Sequence, residues 1–582
     1  MPADPELIAV ARGDAPADLV LSNARVINVF TRDIEDNVNV VIKNGAIARI
    51  GDDTDAAHRI DVGGSYVGPG FIDAHMHVES TMMRPSEFVR LALPHGTTGV
   101  VFDPHEIANV CGIPGMRFLM DDARDLPMRI MFAASSCVPA SHLETAGAAL
   151  SADDLAPLFD DDRVVALAEM MNFPGVVHAF PDVLEKVRLG LEHRIVDGHC
   201  PGLRGDELQA YIAAGISSDH ECTTADEARE KLRRGMQVYL REGSAARNIE
   251  ALVSVVTAEN AHRCCFCTDD RHPGDLRDEG HIDHAVRRAI ACGLDPVTAI
   301  AMGSRHTAQH YNQRELGAVA PGMRADLVVF DDARAPSPRQ VFVDGVLVAE
   351  DGVMTAPPRA ADRAPDDAHL RNTVHLPDDF GAHRFRIESS NPTANIRVIG
   401  MNPHSLVTEH LVMPATRRDG ELVTDPDRDL LKLAVIERHG KGGSIGLGFV
   451  TGFGFRDGAL ASTVGHDSHN LTVVGSNDID MEKAARVLTK YGGGQCVVRG
   501  GKVLACLPLP LAGLLSDESA EALVEQQQQV LEKVRELGCP HHDPFMPLSF
   551  LPLSVIPTLK LSDQGLVDVN RFRIVTVETT ED

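Results

Sequence analysis

The chain has 582 residues, 44% of them hydrophobic and 24% charged, with no Trp and 5 Tyr, which is the composition of a globular protein long enough for more than one domain. Its formal net charge of −29 argues against nucleic-acid backbones and anionic membranes as partners, because both would be repelled over the whole surface. The first residues, Met1-Pro2-Ala3-Asp4-Pro5-Glu6, carry neither a basic nor an apolar leader pattern, and no window approaches the roughly 18 apolar residues of a membrane span, so a cytoplasmic protein is expected. The 11 cysteines form no disulfide framework. Cys264-Cys265-Phe266-Cys267 lacks the second Cys-x-x-Cys of a zinc ribbon and reads as core.

In chain order, the first 65 or so residues give short alternating runs at Asp18-Leu19-Val20-Leu21, Ala24-Arg25-Val26-Ile27-Asn28-Val29 and Val38-Asn39-Val40-Val41-Ile42. Asn44-Gly45 then predicts a type I′ hairpin into Ala46-Ile47-Ala48-Arg49-Ile50. This β unit is incomplete by itself. Matching strands at 322–330 and 340–348 predict one composite β domain from residues 1–66 and 317–352, with a larger domain, 67–316, inserted between its halves.

Inside the insertion the pattern becomes strand then helix, repeated. Strands are predicted at 71–74, 98–102, 129–133, 164–168, 194–197, 215–218, 237–240 and 264–268. Helices are predicted at 83–93, 182–192, 205–213, 225–234 and 282–292. Eight strands alternating with helices over about 250 residues predict a (β/α)8 TIM-like barrel, an α/β fold whose active sites lie at the strand C-termini.

Every potential metal ligand falls there. His75 and His77, two apart on an extended chain, point to one side after the first strand. Glu169 follows the fourth strand, His199 the fifth, His220 the sixth and Asp269 the eighth. Singly, each has an ordinary explanation: a capped turn, a surface carboxylate, a helix N-cap. Four histidines and two carboxylates converging on one rim, with nothing cationic between them, would repel one another unless metal ions held them.

These motifs resemble the amidohydrolase superfamily, from Pro69-Gly70-Phe71-Ile72-Asp73-Ala74-His75-Met76-His77 through Thr268-Asp269-Asp270 to Gly317-Ala318-Val319-Ala320-Pro321-Gly322. Within it the chain is most similar to the bacterial and archaeal adenine deaminase family. That finer resemblance is carried by Phe102-Asp103-Pro104-His105-Glu106-Ile107, Ala168-Glu169-Met170-Met171-Asn172, Ser218-Asp219-His220-Glu221-Cys222-Thr223 and Thr268-Asp269-Asp270-Arg271-His272-Pro273. Glu169 stands where many superfamily members place a carbamylated Lys. The resemblance continues through Gly446-Leu447-Gly448-Phe449-Val450 and His466-Asp467-Ser468-His469-Asn470, nearly the whole chain.

The resemblance implies hydrolytic deamination of adenine to hypoxanthine and ammonia, a role in purine salvage, and poor use of adenosine. Chemically, C6 must be attacked by hydroxide, which metal coordination makes available near neutral pH. His75, His77, Glu169, His199, His220 and Asp269 supply ligands for two divalent transition metals, with Glu169 the natural bridge. The donors do not choose among Mn, Fe and Zn, and the family resemblance points to Mn(2+). Asp269 is expected to shuttle the proton and Glu221 to protonate N1. His105 and Glu106 are candidates for reading the purine, against the plainer reading that Asp103-Pro104 caps and opens a helix. Cys200 and Cys222 are read as structural. A small-molecule partner only, and a homo-oligomer such as a dimer, are expected. The alternatives are another amidohydrolase, acting on a cyclic amide or a different nucleobase, and a non-enzymatic barrel scaffold.

Beyond residue 350, Thr355-Ala356-Pro357-Pro358-Arg359 through Asp367 reads as a linker into a further α+β domain, 368–582. Its Gly440-Lys441-Gly442-Gly443-Ser444 run is not a phosphate loop, since Val435 stands where the pattern needs Gly. Ser516-Asp517 is expected to cap a helix ending at Gly538, and His466-Asp467-Ser468-His469 to form a polar turn between strands.

Overall fold

The computed structural model describes residues 4–52, 54–355, 366–391, 393–402 and 405–579. Residues 356–365 of the expected linker, and the first three residues, lie outside this set.

The barrel strands are Phe71–Met76, Thr97–Phe102, Arg129–Ala134, Val164–Met170, Ile195–Gly198, Ser218–Asp219, Gln237–Arg241 and Cys264–Cys267, seven at their predicted places and the sixth, expected at 215–218, shifted to its last residue and the one after. They pair in parallel as a sheet of five and a sheet of three. Two bridges close the ring: Val196 pairs with Ile216, and Met76 pairs with Asp269. At the second seam Asp269 N donates to His75 O and His77 N donates to Asp269 O, both at 3.0 Å. The first and last predicted ligands are thereby laced together by backbone.

The alternation of each strand sorts its side chains. Ile72, Ala74, Val101, Ala133, Ala166, Cys265 and Cys267 fill the barrel interior, while Cys264 and Phe266 face the outer layer. The cysteine cluster is therefore core, as its strand pattern requires. Gly198 marks a close approach between the fifth and sixth strands: a Cβ there would meet the Ser218 carbonyl oxygen at 2.3 Å.

The N-terminal strands and those after the barrel share one nine-stranded sheet, in which Leu327–Phe330 runs antiparallel to Tyr66–Pro69. A second nine-stranded sheet is built from residues beyond the barrel, with helices Asp478–Tyr491 and Ala520–Glu536 against it. The latter helix is capped by Ser519, which accepts from Ala522 N, and not by Ser516 as expected. Ser516 is buried and donates its backbone N–H to Met82 O of the barrel half.

The C-terminal half lies against the barrel mouth. Ser141 Oγ meets Ser554 Oγ at 2.6 Å, Thr145 N donates to Asp563 at 2.9 Å, and His272 Nδ1 meets Asp543 at 2.5 Å. No described helix is long and apolar enough to cross a membrane.

Candidate active site

The six predicted ligands meet at the strand C-termini, all buried. Glu169 is at the centre and its two oxygens face two different sets of histidines. Oε1 lies 3.5 Å from His75 Nε2 and 3.3 Å from His77 Nε2. Oε2 lies 2.6 Å from His199 Nδ1 and 3.3 Å from His220 Nε2. Asp269 completes the ring, with Oδ1 3.2 Å from His77 Nε2 and Oδ2 3.6 Å from His220 Nε2.

The histidine tautomers favour ligation. His77 Nδ1 donates to the Asp103 carbonyl at 3.0 Å, which leaves Nε2 as a bare lone pair aimed at the carboxylates. His75 Nε2 and His199 Nε2 are buried with no hydrogen-bond partner among the described residues. An orphaned imidazole nitrogen is costly unless something accepts its lone pair, and a divalent cation does. His75/His220/Asp269 and Glu169/His199/His220 each bring their ligand atoms within 4.8 Å of one another. The donor set thus fits a divalent metal.

Electrostatics agree. Burial opposes charge on Glu169, yet His199 and His220 hold its carboxyl well below the usual range. Burial likewise opposes charge on His220, but Glu169 and then Asp269 raise its imidazole to about 9. Negative potential is concentrated on the imidazole nitrogens, where a cation would be stabilised.

One expectation is overturned: a cation does lie among these groups. Arg241, at the end of the seventh strand, is buried and places Nη1 between Glu221, at 2.5 Å, and Asp269, in direct contact. Nη2 adds a second bond to Glu221 at 3.2 Å. Burial opposes the charge on Asp269, but Arg241, followed by His77 and His220, keeps its carboxyl well below the ordinary range. Arg241 was legible by the rule that found the other residues, since it ends a barrel strand, but the seventh strand was read only as scaffold.

His105 and Glu106 open the helix His105–Asp122, with Pro104 in the cap position and no side-chain cap. Asp103 is not the cap; it accepts from Ser135 Oγ at 3.0 Å and faces His105 Nδ1 at 3.0 Å. Both residues of the pair are buried and line the site cavity. Cys200 and Cys222 are buried, Cys222 donating to Asp219 Oδ2 at 3.2 Å.

The turn at 466–469 does join two strands, Ala459–Ser462 and Leu471–Gly475, but its side chains are buried and aimed at the barrel mouth. His466 Nδ1 lies 2.5 Å from Glu106 Oε1, and His469 Nε2 contacts Glu106 Oε2. The expected polar turn between strands is there, and it is buried against the barrel mouth. His466, Asp467, Leu406, Phe550, Leu553 and Ile556 line one cavity together with the ligand cluster. Six of the seventeen residues lining the site thus come from the C-terminal half of the chain.

A closed parallel barrel with imidazoles and carboxylates gathered around a central Glu at its mouth defines a hydrolase of the amidohydrolase type. Residues 66–348 match the model of the amidohydrolase family, and residues 405–573 match that of the adenine deaminase C-terminal domain. An adenine deaminase of Desulfatibacillum aliphaticivorans is 46% identical over 580 residues, covering 99% of each chain. That of Nitratidesulfovibrio vulgaris (strain DP4) is 47% identical over 578 residues, covering 98% of each, and adenine deaminase 2 of Carboxydothermus hydrogenoformans is 45% identical over 573 residues, covering 98% of this chain and 99% of that one. The chain belongs to the adenine deaminase family.

Proposed function

We propose that this protein hydrolyses adenine to hypoxanthine and ammonia, as an enzyme of purine salvage. The observation that carries the reading is that the barrel and the C-terminal half, both matched to the family, line a single cavity around the ligand cluster. His75, His77, Glu169, His199, His220 and Asp269 would hold two divalent ions, with manganese as the resident metal. When bound, the metals supply Lewis acidity and hydroxide near neutral pH.

The protein's own groups do the rest. Asp269 accepts the proton of the attacking water and passes it to the departing amino group, while Arg241 fixes its orientation. Glu221, held by the same guanidinium and lining the same cavity, would carry the second proton of the attacking water to N1. Met171, Leu406, Leu553 and Ile556 supply apolar walls for a planar base and exclude water. In this arrangement residues 67–316 form the catalytic domain and 368–582 a domain that completes the pocket.

The test is ammonia release from adenine, adenosine, guanine, cytosine and dihydroorotate, with Mn(II), Fe(II) or Zn(II) added. Adenine should be preferred by orders of magnitude. Turnover confined to a cyclic amide or another base would replace this reading with that of a different amidohydrolase.

A further inference from the structure

Asp467 is 2% exposed, lines the cavity that holds the ligand cluster, and its Oδ2 is buried with no hydrogen-bond partner among the described residues. A buried acceptor without a donor is expensive, and in a ligand cavity it marks where the ligand brings a donor. Its neighbours cannot take that role. Glu106 has both oxygens engaged, Oε1 by His466 and Oε2 by His469. His469 Nδ1 accepts the Gly465 N–H at 3.1 Å, so its Nε2 carries the proton and donates to Glu106. That tautomer also denies His469 a lone pair for metal, so the Glu106/His466/His469 group is a hydrogen-bonded brace. The brace, together with the His466 ring stacked on Phe550 at 4.3 Å, fixes the position of the adjacent Asp467.

Distance fits a purine. His105 spans the gap: its Nδ1 is 3.5 Å from Glu169 Oε1 and its Nε2 3.8 Å from Asp467 Oδ1. Asp467 therefore lies no farther from the metal-side carboxylate than one imidazole ring and two non-bonded contacts. That is the reach of a fused bicyclic base with its C6 attacked at one end and its five-membered ring hydrogen-bonded at the other.

We propose that Asp467 Oδ2 accepts the ring N–H of the base at the nitrogen that bears the sugar in a nucleoside, which makes Asp467 the residue that selects the free base. The inference rests on the adenine reading above. A base substituted at that nitrogen has no proton to give and brings bulk toward an unpaired buried carboxylate, so it is rejected twice over.

The experiment measures kcat and KM for adenine and 9-methyladenine with manganese-loaded wild type, Asp467→Asn and Asp467→Ala, alongside metal content. Wild type should turn over adenine and discriminate strongly against 9-methyladenine. Asp467→Ala should raise KM for adenine at least about tenfold with a smaller change in kcat, and should shrink the adenine to 9-methyladenine ratio of kcat/KM at least about tenfold. Asp467→Asn, which keeps the size and a weaker acceptor, should fall between, and it decides the matter if the Ala variant does not fold. An unchanged ratio in a metal-replete variant overturns the proposal, as does loss of bound metal, which would make Asp467 a ligand. Wild type that released no ammonia from adenine would refute the adenine reading itself, and this inference with it.

Discussion

Asp269 and Asp270 are consecutive in the chain and aim their carboxylates at different partners: Asp269 at His77 and Arg241, Asp270 at Ser80 and, 3.9 Å away, His466. Asp269 adopts φ +60°, a left-handed backbone uncommon outside Gly and Asn/Asp, and this local twist turns successive side chains apart. Asp269→Asn should fold and keep much of its metal, because the amide oxygen can still coordinate, yet it cannot take a proton. A fall in kcat of about 10²- to 10⁴-fold or more is expected. Asp270→Asn should cost about tenfold or less, the scale of one altered hydrogen bond. Side-by-side kinetics decide it: a dead Asp270 variant beside a near-normal Asp269→Asn would move the proton shuttle one residue along.

Arg241 links two carboxylates with separate proposed tasks, so removing it should damage both. Arg241→Met leaves Glu221 and Asp269 buried without their common partner, and kcat should fall about 10²-fold or more together with a loss of stability of about 3–5 kcal/mol. Arg241→Lys supplies charge without the planar fork, and should recover stability better than turnover. Denaturant melts and steady-state rates measured on the same preparations test this. Wild-type kcat in Arg241→Met would show that the guanidinium has no part in the chemistry.

The ligand cluster should carry about two transition-metal ions per chain, and strong chelation should abolish activity. A ligand bound only by the folded state stabilises it by mass action, so chelation should also lower Tm. Elemental analysis and calorimetry before and after chelation check both. Full activity in protein free of metal would remove the metal-site reading.

Much of this site was legible because a barrel places function immediately after each short apolar strand, a position that can be read residue by residue. His75, His77, Glu169, His199, His220 and Asp269 were all placed on one rim that way, and the structure brings them together there. What the sequence hid is long-range docking. Glu106 is 360 residues from His466 and 363 from His469, and hydrophobic period alone cannot say which loop of one half closes on which rim of the other. The Ser519 cap was missed for a local reason: Ser516 and Ser519 are both good caps three residues apart, and the contact of Ser516 with Met82 in the barrel half decides between them.

Glu144 gives the interface between the halves a pH dependence of definite sign. It is buried; its Oε1 accepts from Ser554 Oγ at 3.1 Å and Ser141 Oγ at 3.4 Å, and its Oε2 has no partner among the described residues. Burial first, and the nearby Asp467 second, raise its carboxyl from the ordinary value of 4.5 to about 8. Between those two values the folded chain holds a proton that the unfolded chain has released. The contribution of Glu144 to stability is thus fully present below pH 4.5 and is lost as pH rises toward 8, by at most about 1.4 kcal/mol per pH unit. Glu144→Gln keeps the shape and does not titrate. Urea denaturation of the two proteins from pH 5 to 9 should show a stability difference that is smallest at pH 5, grows in favour of the Gln variant through pH 8, and then levels off. A difference that stayed constant over this range would mean that Glu144 titrates alike in the folded and unfolded chains.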